Sequence, residues 1–187
     1  NMLFLEEIWS RNFTNLFIAP LKLKEIIVAL IFTALIRTLI GLVPAIILTA
    51  PLFGVSILEL GYPLFLLFLS LYVFGITLGL FVSAGLIRFG PSFENIAWSS
   101  LFLLAPLGCI YYPIEILPNF FQIIAKGLPL VYIFDETRNI LLNGSVDYEN
   151  LKFAYFLNLI YLILGIYLFY FSFLKARIKG TLINMGE

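Results

Sequence analysis

The chain has 187 residues, 62% hydrophobic and 12% charged, with eleven basic and eleven acidic side chains that cancel to zero net charge. A soluble globular domain is nearer 45–50% apolar and about 25% charged, so polar residues are too scarce here to cover a water-soluble fold of this size, and lipid is the solvent that fits. The charge balance argues against nucleic acid, whose phosphates call for clustered positive charge. One cysteine and no histidine rule out an internal disulfide and leave no ordinary zinc set.

The opening stretch, Asn1-Met2 followed by LFLEEIWSRN, lacks the basic region, apolar core and small-residue cleavage site of a signal peptide. It reads as the tail of something longer, with Leu3 to Leu5 closing a span whose body lies upstream. Residues 6–25 mix charged, polar and apolar residues at helical spacing, with Ile8, Phe13, Leu16 and Phe17 on one face and Pro20 ending the run. The pattern predicts a short amphipathic helix lying on the membrane surface, either as a plain interfacial linker or as a docking helix for a cytoplasmic partner.

Residues 26–49 form the first predicted span, long enough at about 1.5 Å per residue to cross a hydrocarbon core of about 30 Å. Arg37 stands near its middle. A charge at that depth is costly and is expected to face protein or water. A short turn, 50–61, leads to a second span over 62–87, which carries Gly75, Gly79 and Ser83 at four-residue spacing, a pattern that packs closely against a neighbouring helix. A polar turn at 88–95 precedes a third span over 96–112, interrupted by Pro106. Cys109, in an apolar run beside Gly108, is expected to be a small buried helix residue.

Residues 113–142 are too apolar for a water-exposed loop and too broken by Pro113, Pro118, Gly127 and Pro129 for one clean span. They predict two short helices, each opened by a proline, that enter one face of the membrane and turn back. Such a break in the backbone is tolerated only where protein or water covers it. Asp135 and Arg138 are spaced to pair along the second helix. Asp135 and Glu136, adjacent and near the predicted outer surface, point about 100° apart on a helix and make a poor acid–base pair. A fourth span follows over 152–174, in which Tyr161 and Tyr167 lie deep enough to offer hydrogen bonds to a cargo. The fold expected is therefore an all-α polytopic bundle of four visible spans, with a surface helix before them and a re-entrant hairpin between the last two.

Basic residues near span ends set orientation. With the N-terminal segment inside, Arg11, Lys22, Lys24, Arg88, Lys175, Arg177 and Lys179 are cytoplasmic, against Lys126, Arg138 and Lys152 outside, a bias of seven to three. Both the N-terminal segment and the C-terminus are thus expected in the cytoplasm. A full span at 113–142 would carry the last three basic residues outside. No catalytic set is visible: no histidine supports a triad, and no GxxxxGK[ST] run binds nucleotide. The chain is not expected to be an enzyme, nor to hold a metal or cofactor.

Two stretches resemble the ABC-2 type permease family, the membrane subunits of ATP-driven exporters. RNFTNLFIAPLKLKEIIVALIF, residues 11–32, is similar to that family's cytoplasmic loop and following helix, with Pro20 at its proline step and Asn12 or Phe13 where a glycine is usual. YYPIEILPNFFQIIAKGLPLVYIFDETRNILLNG, residues 111–144, resembles its external hairpin, with Pro113, Pro118, Pro129, Glu136 and Arg138 where the pattern has them. The resemblance implies an N-terminally incomplete copy of a six-span subunit. It implies a homodimer in the cell or inner membrane, with Ile8, Phe13, Leu16 and Phe17 docking on a nucleotide-binding ATPase that alone holds ATP and Mg. It also implies outward movement of an amphiphilic cargo such as a lipid, a lipid-linked glycan or a drug-like molecule, past Arg37, Tyr161 and Tyr167 or with these as structural polar groups. The competing expectations are a stand-alone channel or ion-coupled carrier, a membrane-embedded enzyme using Asp135 and Glu136, and a purely structural subunit.

Overall fold

The computed structural model describes residues 23–54 and 61–179. Among them every regular element is helical: α1 (Leu23–Phe53), α2 (Tyr62–Phe89), α3 (Glu94–Leu107), α4 (Asn119–Ala125), α5 (Pro129–Asn143) and α6 (Tyr148–Lys179), with single 3-10 turns at Pro91–Phe93 and Ile114–Ile116. Three stretches, Ile27–Thr49, Tyr62–Phe89 and Tyr148–Ile178, are long and apolar enough to cross a membrane, as an integral membrane protein requires. They coincide with the spans expected at 26–49, 62–87 and 152–174.

The span expected over 96–112 is shorter than that. Helix α3 has 14 residues, about 21 Å of rise, and does not reach across a hydrocarbon core unaided. Pro106 supplies no N–H to its last turn, Gly108 closes the helix by donating to the Leu104 carbonyl, and Cys109 turns into the left-handed region at φ 53°. Cys109 is buried as expected, but in a turn and not in a helix.

Helices α2 and α6 form the spine. Tyr155 pairs with Leu66, Asn158 with Ser70, Tyr161 with Phe74, and Gly165 with Thr77 and Leu80, so the two helices run side by side in the same direction. At one end Leu67 packs with Leu151 and Ala154. At the other, Val82, Leu86 and Ile87 pack with Phe169, Phe173 and Ala176. Small residues let the backbones close where the helices touch: a Cβ on Gly165 would lie 3.4 Å from the Leu80 Cβ and 3.6 Å from the Thr77 carbonyl oxygen. That is ordinary contact, so Gly165→Ala is expected to fold as the parent does. Gly165→Leu has nowhere to place its branch, and overpacking of this kind costs about 1–3 kcal/mol. Thermal unfolding in detergent checks the contrast: equal midpoints for the two variants would mean the helices are not in contact at this level.

Because α2 and α6 are parallel, residues 90–147 make one net return between them. The chain turns sharply after α2, where the Phe93 ring sits over Gly85 at a point that leaves no room for a Cβ. Helix α3 then climbs partway back, and Ala97 joins the cluster beneath Phe169. The rest of the return is made by the α4–α5 hairpin. Pro118 precedes α4 and Pro129 occupies the first turn of α5, as the sequence predicts, and Gly144 ends α5 in the left-handed conformation. Ile133 of α5 is buried against Leu67, Leu151 and Ala154, while Cys109, Ala125 and Val131 form a second small core with Tyr112, Ile114, Leu117 and Leu128 around it. The turn between α4 and α5 reaches the level of Tyr161, whose hydroxyl donates to the Gly127 carbonyl at 3.0 Å. Tyr161 is 13 residues beyond Tyr148, the first residue of α6, so the turn lies about 20 Å along that helix.

Helix α1 runs antiparallel to α2. Tyr72 donates to the Ile31 carbonyl at 2.7 Å, and Ile27 packs on the Val82–Leu86 cluster. Otherwise α1 presents apolar side chains outward along its length, among them Val28, Phe32, Ile40, Ile47 and Leu52, as a lipid-facing helix does.

Candidate functional site

Polar groups collect in three places. The first is the junction of the hairpin with α6. Adjacent helical positions diverge here as their spacing requires: the Asp135 side chain is half exposed, whereas Glu136 is fully buried. Glu136 therefore does not lie on the outer surface as expected. Residue 136 falls on the face of α5 that carries Ile133 and is covered by the start of α6. Its Oε1 accepts the Asp147 N–H at 2.7 Å, and Asp147 in turn accepts the Glu149 N–H at 2.9 Å through Oδ1. A buried carboxylate thus holds the entry to α6, where the positive end of the helix dipole favours it. Glu136 Oε2 has no hydrogen-bond partner among the described residues.

Arg138 reaches back across the hairpin. Its Nη1 donates at 2.9 Å to the carbonyl of Cys109, which the left-handed turn after α3 aims toward it, and its Nη2 lies 3.7 Å from Asp135. The expected Asp135–Arg138 pair is present, with the Cys109 carbonyl as an added partner that spacing along one helix does not reveal. The set ties α3, α5 and α6 together. It is not arranged for acid–base chemistry, since the two carboxylates point apart and one is spent on the backbone. Pro113 starts the extended run into the Ile114–Ile116 turn, and with Pro118 and Pro129 it sets where the hairpin bends.

The second place is the seam between α2 and α6. Asn158 is buried and donates through Nδ2 to the Ser70 carbonyl at 3.0 Å and to Ser70 Oγ at 2.8 Å. Tyr155, one turn earlier, donates to the Leu66 carbonyl at 2.7 Å, and Thr77 is buried one turn beyond Phe74. Interhelical hydrogen bonds in membranes average about 0.6 kcal/mol, so these set register more than they add stability. Sequence reading passed over Asn158, although an asparagine inside an apolar span is itself a signal, and so are Ser70 and Thr77 two turns apart on one face.

The third place is a cavity of about 460 Å³ between α1 and α2, lined by Ile27, Ile31, Ala34 and Thr38 on one side and by Phe68, Tyr72, Gly75, Ile76, Gly79 and Ser83 on the other, with Phe169 at one end. The stripe expected to pack closely against a helix faces α1 across this space: a Cβ on Gly75 would meet nothing within 4 Å. Arg37 is exposed on α1. Tyr161 is engaged with Gly127 and edge-on to Phe74 at 6.5 Å, and Tyr167 lies on the outer surface of α6, stacked on Phe171 at 6.3 Å. The three do not converge, and none lines the cavity. Ile8, Phe13, Leu16 and Phe17 lie outside the described residues. Among the described residues no three His, Cys, Asp or Glu side chains gather as a metal site would need. No protein-family model, curated protein or solved structure matches this chain.

Proposed function

We propose that this chain is the membrane-spanning subunit of an ABC-2 type exporter, which moves an amphiphilic cargo outward and is driven by a separate ATPase subunit. The observation that carries the reading is the parallel course of α2 and α6 with a two-helix hairpin folded between their starting ends. In such a subunit α3 and the hairpin together make the third of the four visible crossings, the hairpin dips into the outer leaflet and back, and the end of α2 and the end of α6 face the cytoplasm with Arg88, Lys175, Arg177 and Lys179. That orientation agrees with the basic-residue bias. The amphipathic run over 8–17 supplies the apolar face on which the ATPase docks, and a second copy of the chain completes the path.

Affinity capture of the tagged chain from its native membrane tests this directly. The expected result is a nucleotide-binding subunit in stoichiometric amounts. Cysteine labelling in sealed vesicles on a Cys109→Ala background tests the topology: Lys179→Cys is expected to react only from the cytoplasmic side and Asn143→Cys only from the other. Labelling of Lys179→Cys from outside would overturn the assignment.

A further inference from the structure

Helices α2 and α6 keep one register along their seam. Asn158 bonds to Ser70 and Gly165 lies on Thr77, each pair 88 positions apart. Ala84 and Ser172, both buried two turns further along, keep the same offset. One more turn sets Arg88 opposite Ala176. Arg88 also stands five full helical turns beyond Ser70, so it leaves α2 on the face that meets α6. Lys175 and Arg177 flank Ala176 on the other side of the seam.

Three cations thus gather where the two helices end, and all three are exposed. Like charges brought together repel unless an anion lies among them. Among the described residues none of the three takes part in an ion pair. Glu94, at the start of α3, accepts from the Trp98 ring nitrogen at 3.4 Å instead. The cations rest on aromatic rings: Arg88 lies over Phe89 at 5.5 Å and Lys175 over Phe171 at 4.4 Å. Such contacts hold a charge in place without neutralising it.

Apolar surface adjoins the charges. Phe171, Leu174 and Ile178 are exposed along α6, and Phe89 is exposed at the end of α2. The membrane-length stretches of both helices end at this level, at Phe89 and Ile178. A small soluble anion would answer the charges and leave these side chains uncovered. A lipid with an acidic head group answers both, because basic groups at the end of a span attract anionic head groups while the neighbouring apolar face takes the acyl chains.

We propose that the shared end of α2 and α6 is a binding site for an anionic phospholipid, its phosphate among Arg88, Lys175 and Arg177 and its acyl chains along Phe171 and Leu174. The inference goes beyond the export reading and does not depend on it. It rests on α2 and α6 crossing the membrane.

Photo-crosslinking tests it on the full chain in phosphatidylcholine nanodiscs, doped with a diazirine-bearing phosphatidylglycerol or with a diazirine-bearing phosphatidylcholine of the same chain length. The expected result is saturable labelling of residues 86–89 and 171–178, with the anionic probe preferred at least about tenfold, on the scale that several cations near a membrane surface provide. Unlabelled phosphatidylglycerol is expected to compete, and inorganic phosphate is not. Arg88→Gln, Lys175→Gln and Arg177→Gln combined are expected to bring the anionic probe down to the level of the neutral one. Lys126→Gln removes an exposed cation of the hairpin and is expected to leave labelling unchanged. Equal labelling by the two probes would overturn the proposal, as would labelling that rises linearly or persists in the triple variant. An equal loss in Lys126→Gln would assign the effect to diffuse attraction, and competition by inorganic phosphate would make the ligand a free anion; either result overturns the lipid site. The contrast between the two probes on the parent chain decides the matter even where the triple variant does not fold. Labelling is read without any ATPase present, so a failed capture of that subunit counts against export alone.

Discussion

Glu136→Ala is expected to lower the unfolding midpoint of the detergent-solubilised chain by about 5–15 °C, while Glu136→Gln lowers it by less than half as much. The Asp147 N–H at the mouth of α6 has Glu136 Oε1 as its acceptor at 2.7 Å, and Glu136 is fully buried. Alanine leaves that donor without its acceptor and empties the volume beside Ile133. A hydrogen bond to a charged group contributes about 1.5–3 kcal/mol, and removal of a buried side chain adds a cavity term. Together they amount to about 2–4 kcal/mol, and in a chain of this size each kcal/mol moves the midpoint by about 2–4 °C. Glutamine keeps an acceptor oxygen for Asp147 and puts an amide where the unpartnered Oε2 stood, losing only the favourable charge at the helix start. Hydrogen exchange locates the effect: α5 and the first turns of α6 are expected to lose protection while the Val82–Phe169 end of the spine keeps it. Equal losses in both variants would show that the charge itself, and not the acceptor, secures the hairpin.

The contrast between Glu136 and its neighbour Asp135 shows what the sequence could and could not convey. The three long helices were legible because each is a continuous apolar run of spanning length, and their ends fell within a few residues of the expected ones. The two hairpin helices were legible from Pro118, Pro129 and Gly144, which act through local backbone geometry. Local rules also placed Asp135 beside Arg138. They did not place Glu136 inside, because its burial is decided by how the chain turns after Gly144 and folds the start of α6 back over residue 136, a packing outcome that helical spacing along α5 does not report. They did not find the Arg138–Cys109 bond, which depends on a left-handed turn 29 positions away. The same limit applies to Gly75, Gly79 and Ser83. Their spacing reports a face that permits close approach, but whether a neighbour occupies it is settled by how far α1 stands from α2. The overlong third span had a similar cause. Hydropathy continues through Gly108–Tyr112, while Pro106 and the turn at Cys109 end the helix before the apolar run ends.

Under the proposed export function, in which a separate ATPase docks on residues 8–17, Leu16→Asp is expected to reduce export in reconstituted vesicles at least tenfold while leaving the unfolding midpoint of the membrane subunit unchanged. Leu16 lies within the amphipathic run with Ile8, Phe13 and Phe17, upstream of every packed residue described above. Burial of a leucine contributes about 1.5–3 kcal/mol, and a carboxylate set into an apolar contact adds a desolvation cost. A combined loss of about 3 kcal/mol weakens an interface by more than 100-fold, enough to separate the two subunits at ordinary concentrations. ATP hydrolysis by the other subunit is then expected to continue without driving transport. On the helical spacing that the sequence predicts there, Thr14→Asp introduces the same charge roughly 160° from Leu16, away from the apolar face, and is expected to leave export within twofold of the parent. The pair separates a specific docking contact from a general effect of negative charge at the membrane surface. Equal losses from both variants would assign the segment to membrane association, and undiminished export by Leu16→Asp would remove it from the energy-coupling path.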